Sequence, residues 1–263
     1  MKIILLSILF IFIIFSNTEA VTKKILVIFP ATHSLSLKEG NKHPTGYFFS
    51  EFAIPALELS RQGFEFDVAT PMGVVPTMDK TTDSAKWFHS KEEYLLAKSL
   101  LESIGGFKKP LILSEIKNSL DKYSSLFIPG GHAAMEDLPA NNDLGDVLKY
   151  FHANHRPTAL ICHGPAALLA AREKNGNWIY KDYSLTVFST AEEKFLEKNG
   201  SLEGHVLFYS EDVLRQSGAN VNVAPPMQSH VVVDHELVTG QNPMSSDTLV
   251  KSFIELLKQT EIK

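Results

Sequence analysis

Short apolar runs alternate with stretches of helical spacing along most of the chain, the pattern that builds a mostly parallel sheet covered by helices on both faces. Lys24-Ile-Leu-Val-Ile-Phe29 reads as a strand, and apolar residues then recur at helical spacing from Gly46 to Arg61, stopping at Gln62-Gly63. Further strands are predicted at Glu65 to Thr70, ended by Pro71, at Ser125 to Pro129, at Thr158 to Ile161 and at Leu185 to Phe188. Val231 to Val238 reads as two short strands about a tight turn, and Ser245 to Lys258 as a closing helix. The fold class is α/β. Between the second and third strands, Gly73 to Tyr123 is too long for one crossover helix and predicts an inserted cap. Lys91 to Glu102 and Leu113 to Leu120 have helical character there, while Pro76 to Ser90 reads as an irregular loop.

The first twenty residues stand outside this pattern. Lys2 is a minimal positive start, Ile3 to Phe15 is an apolar stretch of 13 residues, and Thr18-Glu19-Ala20 is a small-residue exit. The stretch is shorter than the roughly 20 residues that span a bilayer, which favours a signal peptide cleaved after Ala20 over an uncleaved anchor. Export, to a periplasm or to the outside, is then expected, with no stable membrane association afterwards. Residues 21–263 form one domain large enough for a single core, with no Pro/Gly/Ser linker dividing them. The net charge of −5 leaves no basic surface for nucleic acid. One cysteine excludes an internal disulfide.

That cysteine carries the most chemical information. Thr158-Ala-Leu-Ile-Cys162-His163-Gly164-Pro165 places it where a strand stops and a helix begins, with the sulfur held beside free N–H groups that favour a thiolate. A small buried apolar cysteine is the competing interpretation. His-Gly-Pro directly after it is poor packing material, but Gly tolerates the bend and Pro fits a first helical turn. Pro129-Gly130-Gly131-His132 comes immediately after its own strand, so the Gly130 and Gly131 amides, with that of His163, are candidates for an oxyanion hole. Glu51 lies in Gly46-Tyr-Phe-Phe-Ser-Glu51-Phe-Ala-Ile-Pro55, among apolar neighbours that would raise its pKa and let it exchange protons near neutrality. Glu192 and Glu193 are either first-turn acids or, one of them, the group that orients His163. His132, His205 and His230 stand near strand ends or turns, where they can line a pocket. His152-x-x-His155 can share a helix face but has no carboxylate at a ligand spacing, so no metal is predicted. Phosphate-binding and dinucleotide glycine motifs are missing, and no cofactor is predicted.

Taken together, Ile128-Pro-Gly-Gly-His132, Ile161-Cys-His-Gly-Pro-Ala-Ala167, the Glu51 segment and Leu237-Val-Thr-Gly-Gln-Asn-Pro243 resemble the ThiJ/PfpI family of the class I glutamine amidotransferase-like superfamily. The branch most resembled contains heat-shock holding chaperones and glutathione-independent glyoxalases. The resemblance runs from about Lys24 to the C-terminus. It implies a flavodoxin-like fold, a homodimer, Cys162 as nucleophile, His163 as the adjoining triad histidine and Glu193 as the acidic third member, with Glu192 a near competitor. It also implies Glu51 as the glutamate against the sulfur and Gly131 as the oxyanion glycine, with residues 73–123 as the branch's extra segment over the pocket. Three departures stand out: members are generally cytosolic, Ala133 replaces a commoner glycine, and Glu58 stands where some members carry a metal-binding histidine.

The activity implied is glyoxalase III or deglycase chemistry on a 2-oxoaldehyde such as methylglyoxal, or on a glycated substrate, without cofactor. Two alternatives remain. One is a holding chaperone with a redox-sensing cysteine, using Phe88, Tyr94, Leu95, Leu96, Leu100 and Leu101 as apolar surface; the other is a cysteine amidase or peptidase.

Overall fold

A computed structural model describes residues 23–261. The proposed signal segment, Met1 to Ala20, lies outside the described residues. A seven-stranded sheet forms the centre, and its strands come from along the whole described chain. In chain order the strands are β1 (Lys24–Ile28), β2 (Ser34–Ser36), β3 (Lys42–Pro44), β4 (Glu65–Thr70), β5 (Leu111–Ile112), β6 (Ser125–Ile128), β7 (Thr158–Ile161), β8 (Ser184–Leu185), β9 (Asn220–Val221), β10 (Val231–Asp234) and β11 (Leu237–Gly240). The helices are α1 (Phe49–Arg61), α2 (Lys91–Ser103), α3 (Leu113–Ile116), α4 (Ala134–Asp137), α5 (Asn142–Ala153), α6 (Thr190–Lys198), α7 (Ser210–Gln216) and α8 (Ser246–Glu261).

The sheet order is β10-β11-β7-β6-β1-β4-β5, parallel throughout except for the β10–β11 hairpin. This is the flavodoxin-like α/β arrangement expected. Strands β1, β6 and β7 are buried on both faces, which is why they read as nearly unbroken apolar runs. Side chains alternate between two cores: Leu26, Ile28, Leu126 and Leu160 face α5 and its neighbours, whereas Ile25, Val27, Phe127 and Ile161 face α1 and α8. On the second face, Phe52 of α1 packs its ring 5.2 Å from both Phe29 and Phe107, and 6.4 Å from Phe127. Among the described residues no helix is long and apolar enough to cross a membrane.

The direction of connection reverses between β1 and β6, so the carboxyl ends of β1, β6 and β7 open a crevice at the topological switch point. Pro129-Gly-Gly-His132 and Cys162-His163 are the first residues beyond β6 and β7, and both enter that crevice.

Two expectations need correction. Leu185 to Phe188 is not a strand of the central sheet. Only Ser184–Leu185 is extended, paired with β9 in a separate two-stranded sheet, because β11 already occupies the flank of β7. From there the Thr186 N–H donates to Thr239 Oγ1 and the Phe188 N–H to the Cys162 carbonyl, which leads the chain along the sheet's end into the crevice. Residues 73–123 are also not all cap. After Gly105 the chain returns to the body, where β5 adds to β4 as the sheet's edge.

The first half of that segment does cover the crevice. It is held by the start of α1, where the Phe49 N–H donates to Thr82 Oγ1 at 3.1 Å. Of the six residues on which the chaperone alternative draws, Phe88, Tyr94, Leu100 and Leu101 pack partly buried against the core, and Leu95 and Leu96 are exposed. This removes most of the apolar surface on which the chaperone alternative relied.

Phe52 joins the helix that carries Glu51 to the centre of the sheet. Phe52→Ala should cost about 3–5 kcal/mol, measured as a shift in the denaturant midpoint.

Candidate active site

Cys162 begins the turn after β7 with φ 59°, the left-handed conformation that side chains rarely adopt. That backbone lets two adjacent side chains meet: His163 Nδ1 lies 3.3 Å from Cys162 Sγ. On its far side, His163 Nε2–H donates to Glu193 Oε2 at 2.7 Å. Since the Nε2 proton is held by the carboxylate, a neutral His163 turns its Nδ1 lone pair toward the thiol.

The competition between neighbouring acids is decided by their positions on α6. Ser189 caps the helix and forms a capping box with Glu192, whose carboxylate also accepts from the Met227 N–H and from the side-chain amides of Gln241 and Asn242. Glu192 is a structural hub. Glu193, about 100° further round the helix, meets the imidazoles. There it also receives a hydrogen bond of 2.8 Å from His132 Nε2, so one carboxylate bridges two rings. Burial raises its pKa, but His132 and His163 outweigh this and hold it well below the usual carboxylate range.

Glu51, in the first turn of α1, is fully buried. Neither of its oxygens makes a hydrogen bond of ordinary geometry; the Cys162 thiol and the Gly130 amide are the polar groups that pull on it. Burial dominates and pushes the carboxyl up to about 8. Burial likewise pushes the Cys162 thiol well up, with Glu51 adding to the effect and the Gly131 amide opposing it. The resting pair is therefore a thiol beside a neutral carboxylic acid.

This corrects the expectation of a thiolate stabilised by a helix N-terminus. Just beyond Cys162 the chain forms a seven-residue 3-10 segment, Gly164–Ala170, and Cys162 itself is only 2% exposed. At that depth desolvation outweighs the backbone N–H that faces the sulfur.

The two glycines are required by contact. A Cβ on Gly130 would lie 2.6 Å from both Cys162 Cβ and Glu51 Oε2. Gly131 has φ 100°, and a Cβ there would lie 2.3 Å from the Gly46 carbonyl oxygen. Gly130, expected as an oxyanion donor, instead turns its amide toward Glu51, whereas the Gly131 amide faces the sulfur.

Gly131, His132, Cys162 and His163 form the floor of a cavity of about 380 Å³ with Phe48, Trp87, Phe188, Leu196 and Met227 on its walls, while Glu51, Gly130 and Glu193 lie behind that floor. His132 lines it. His205 pairs with Glu39 on the surface, and neither His205 nor His230 lines the cavity. His152 and His155 do not act as a pair: α5 ends at Ala153, and His152 bonds Glu236 at 2.7 Å. Sequence reasoning missed Trp87 and Phe48, which an irregular loop and a helix start gave no reason to bring together. Donor atoms of His132, His163 and Glu193 lie within 4.8 Å of one another. Their N···O contacts of 2.7 and 2.8 Å are hydrogen bonds, tighter than the spacing around a metal with bonds of about 2.0–2.1 Å at tetrahedral angles, so the three share protons as they stand.

A model described as DJ-1/PfpI family matches residues 46–256. The protein/nucleic acid deglycase HchA of Escherichia coli O157:H7 is 30% identical over 231 residues, covering 87% of this chain and 78% of that protein. Among solved structures, the Rapid Encystment Protein 24 KDa of Francisella tularensis is 26% identical with a TM-score of 0.75, over 89% of this chain and 99% of that one. The glyoxalase III of Candida albicans superposes with a TM-score of 0.71 at 22% identity, over 89% and 96% of the two chains, a likeness of fold.

Glu51 binds its proton more tightly folded than unfolded, so its stabilising contribution is complete below about 4.5 and is lost as pH rises to about 8. Wild type should lose stability relative to Glu51→Gln across that window, by up to about 1.4 kcal/mol per pH unit. Parallel curves of unfolding free energy against pH would show that the carboxyl is not held neutral.

Proposed function

The chain belongs to the DJ-1/PfpI family, and from that premise we propose that it is a cofactor-free enzyme of the glyoxalase and deglycase type, acting through Cys162 on 2-oxoaldehydes or on their adducts. The observation that carries this is the buried, neutral Glu51 set against the sulfur of Cys162, with that cysteine itself on the wall of a cavity. A proton carrier with a pKa near the working pH suits the movement of a proton between two carbons. The name of the E. coli relative points to the same chemistry.

In the reaction proposed, His163 Nδ1 accepts the thiol proton as sulfur bonds to the aldehyde carbon, giving a hemithioacetal. Glu51, in the fraction that is ionised near its pKa of about 8, takes the proton from that carbon as carboxylate and then, as the acid so formed, returns it to the neighbouring carbonyl carbon by way of an enediol. The product is a thioester of the 2-hydroxy acid, and water hydrolyses it to release the acid and restore the thiol. The Gly131 N–H, beside the sulfur, is placed to stabilise negative charge on the substrate oxygen. Reversal of an aldehyde adduct on a thiol or amine would use the same sulfur and the same acid.

Hydrolysis of a peptide is the second interpretation, favoured by the continuous Cys162, His163, Glu193 hydrogen-bond chain. The 2% exposure of Cys162, at the floor of a cavity of about 380 Å³, weighs against a polypeptide substrate. We further propose that the enzyme works after export, on the strength of residues Met1 to Ala20.

The purified protein should form lactate from methylglyoxal without glutathione. Cys162→Ser should abolish product, and Glu51→Gln should lower kcat by about 10²-fold or more. Lactate formed at the wild-type rate by Cys162→Ser would sink the mechanism; cleavage of a labelled peptide, lost in His163→Ala, would transfer the assignment to hydrolysis.

A further inference from the structure

The triad expected from the sequence has one imidazole, yet Glu193 serves two. The His132 and His163 rings pack with centroids 4.2 Å apart and donate Nε2–H to opposite oxygens of the same carboxylate. Their exposures differ: the His163 side chain is 2% exposed and that of His132 14%. Among the described residues the Nδ1 of His132 has no hydrogen-bond partner, whereas that of His163 faces the sulfur. His132 lines the cavity beside Cys162 and Gly131.

One carboxylate can neutralise one imidazolium. Two protonated rings at this separation, in a desolvated site, would leave one positive charge without a hydrogen-bonded carboxylate of its own, since Asp79 acts on His132 and Glu192 on His163 only through space. The resting proton belongs on His132. Burial lowers the pKa of that ring, but the charge and hydrogen bond of Glu193 outweigh it and leave it raised; burial and the neighbouring His132 charge lower that of His163.

We propose that His132 is a catalytic general acid whose Nδ1–H protonates the substrate carbonyl oxygen while His163 takes the proton of the Cys162 thiol. The step balances. The S–H proton moves to His163 Nδ1, the His132 Nδ1 proton moves to the carbonyl oxygen, the C–S bond forms and the C=O π bond becomes C–OH. The positive charge passes from one ring to the other, and Glu193 neutralises it in both states. When the hemithioacetal reverts, the same exchange runs backwards. This role rests on the proposed addition of the Cys162 thiol to an aldehyde.

The test is His132→Gln, whose amide keeps a donor toward Glu193, with His132→Asn as the second variant should the first lose its thermal midpoint. Two rates are measured: lactate from methylglyoxal, and alkylation of Cys162 by iodoacetamide as a function of pH. Loss of a general acid predicts a fall in kcat of about 10²–10³-fold with KM changed by less than about threefold. Alkylation at neutral pH should be as fast as in wild type or faster, because no cation on residue 132 then opposes a proton on His163. A kcat within about threefold of wild type overturns the proposal, and so does an equal fall in both rates, which marks a residue that merely holds Glu193 in place. If wild type forms no lactate, the parent assignment fails and the alkylation profile decides for charge sharing alone. A midpoint moved to lower pH in the variant supports it, and an unmoved midpoint overturns it.

Discussion

A fully buried carboxylic acid and an almost fully buried thiol are held against each other, and much of this end of the molecule is arranged around that contact. An ionised carboxylate with no hydrogen bond of ordinary geometry would be costly at such depth, so Glu51 keeps its proton near neutrality. The aromatic residues behind it do not permit a retreat toward solvent: Phe49 and Phe52 flank it on α1, and the Phe52 ring is wedged among Phe29, Phe107 and Phe127. In front, Gly130 has no side chain because the space a Cβ would need is filled by the acid and the cysteine.

A second constraint governs the other side of the sulfur. Two imidazoles share one carboxylate, and the carboxylate is fixed because its neighbour on α6 is itself fixed. Glu192 is bound by Ser189, Met227, Gln241 and Asn242, which anchors the first turn of the helix to the loops beyond β9 and β11. The position of Glu193 is set by that anchorage rather than by its own contacts alone. Acid and base thus approach Cys162 from different elements, α1 on one face of the sheet and α6 beyond its end, and meet only at the crevice where strand order reverses.

The central strands were legible because β1, β6 and β7 are buried on both faces and are apolar apart from their first residues, Lys24, Ser125 and Thr158. The cysteine turn and the double glycine were legible for a related reason: a tight approach of backbones leaves few residue types possible. Glu51 was visible as an acid in apolar company. The resemblance favours Glu193 over Glu192, and Ser189-x-x-Glu192 has the spacing of a capping box, which independently commits the first acid to the helix start. The protonation of the thiol was not legible because it depends on how deeply the end of β7 is buried, which an apolar run followed by a cysteine does not disclose. His132 carried a faint signal, its place directly after the glycines. The cavity walls carried none, since Trp87 and Phe48 meet through the folding of an aperiodic segment.

The hydroxyl of Thr82 ends the chain of support. It accepts the Phe49 N–H, one of the donors that a helix start leaves without an internal partner, while the preceding Phe48 N–H is taken by the carbonyl of Gly130. The covering segment and the first turn of the helix bearing the acid therefore share a bond, beside the backbone bonds that join Tyr47 to Thr77 and Asp79, so the wall of the chamber and the seat of the acid are built as one piece.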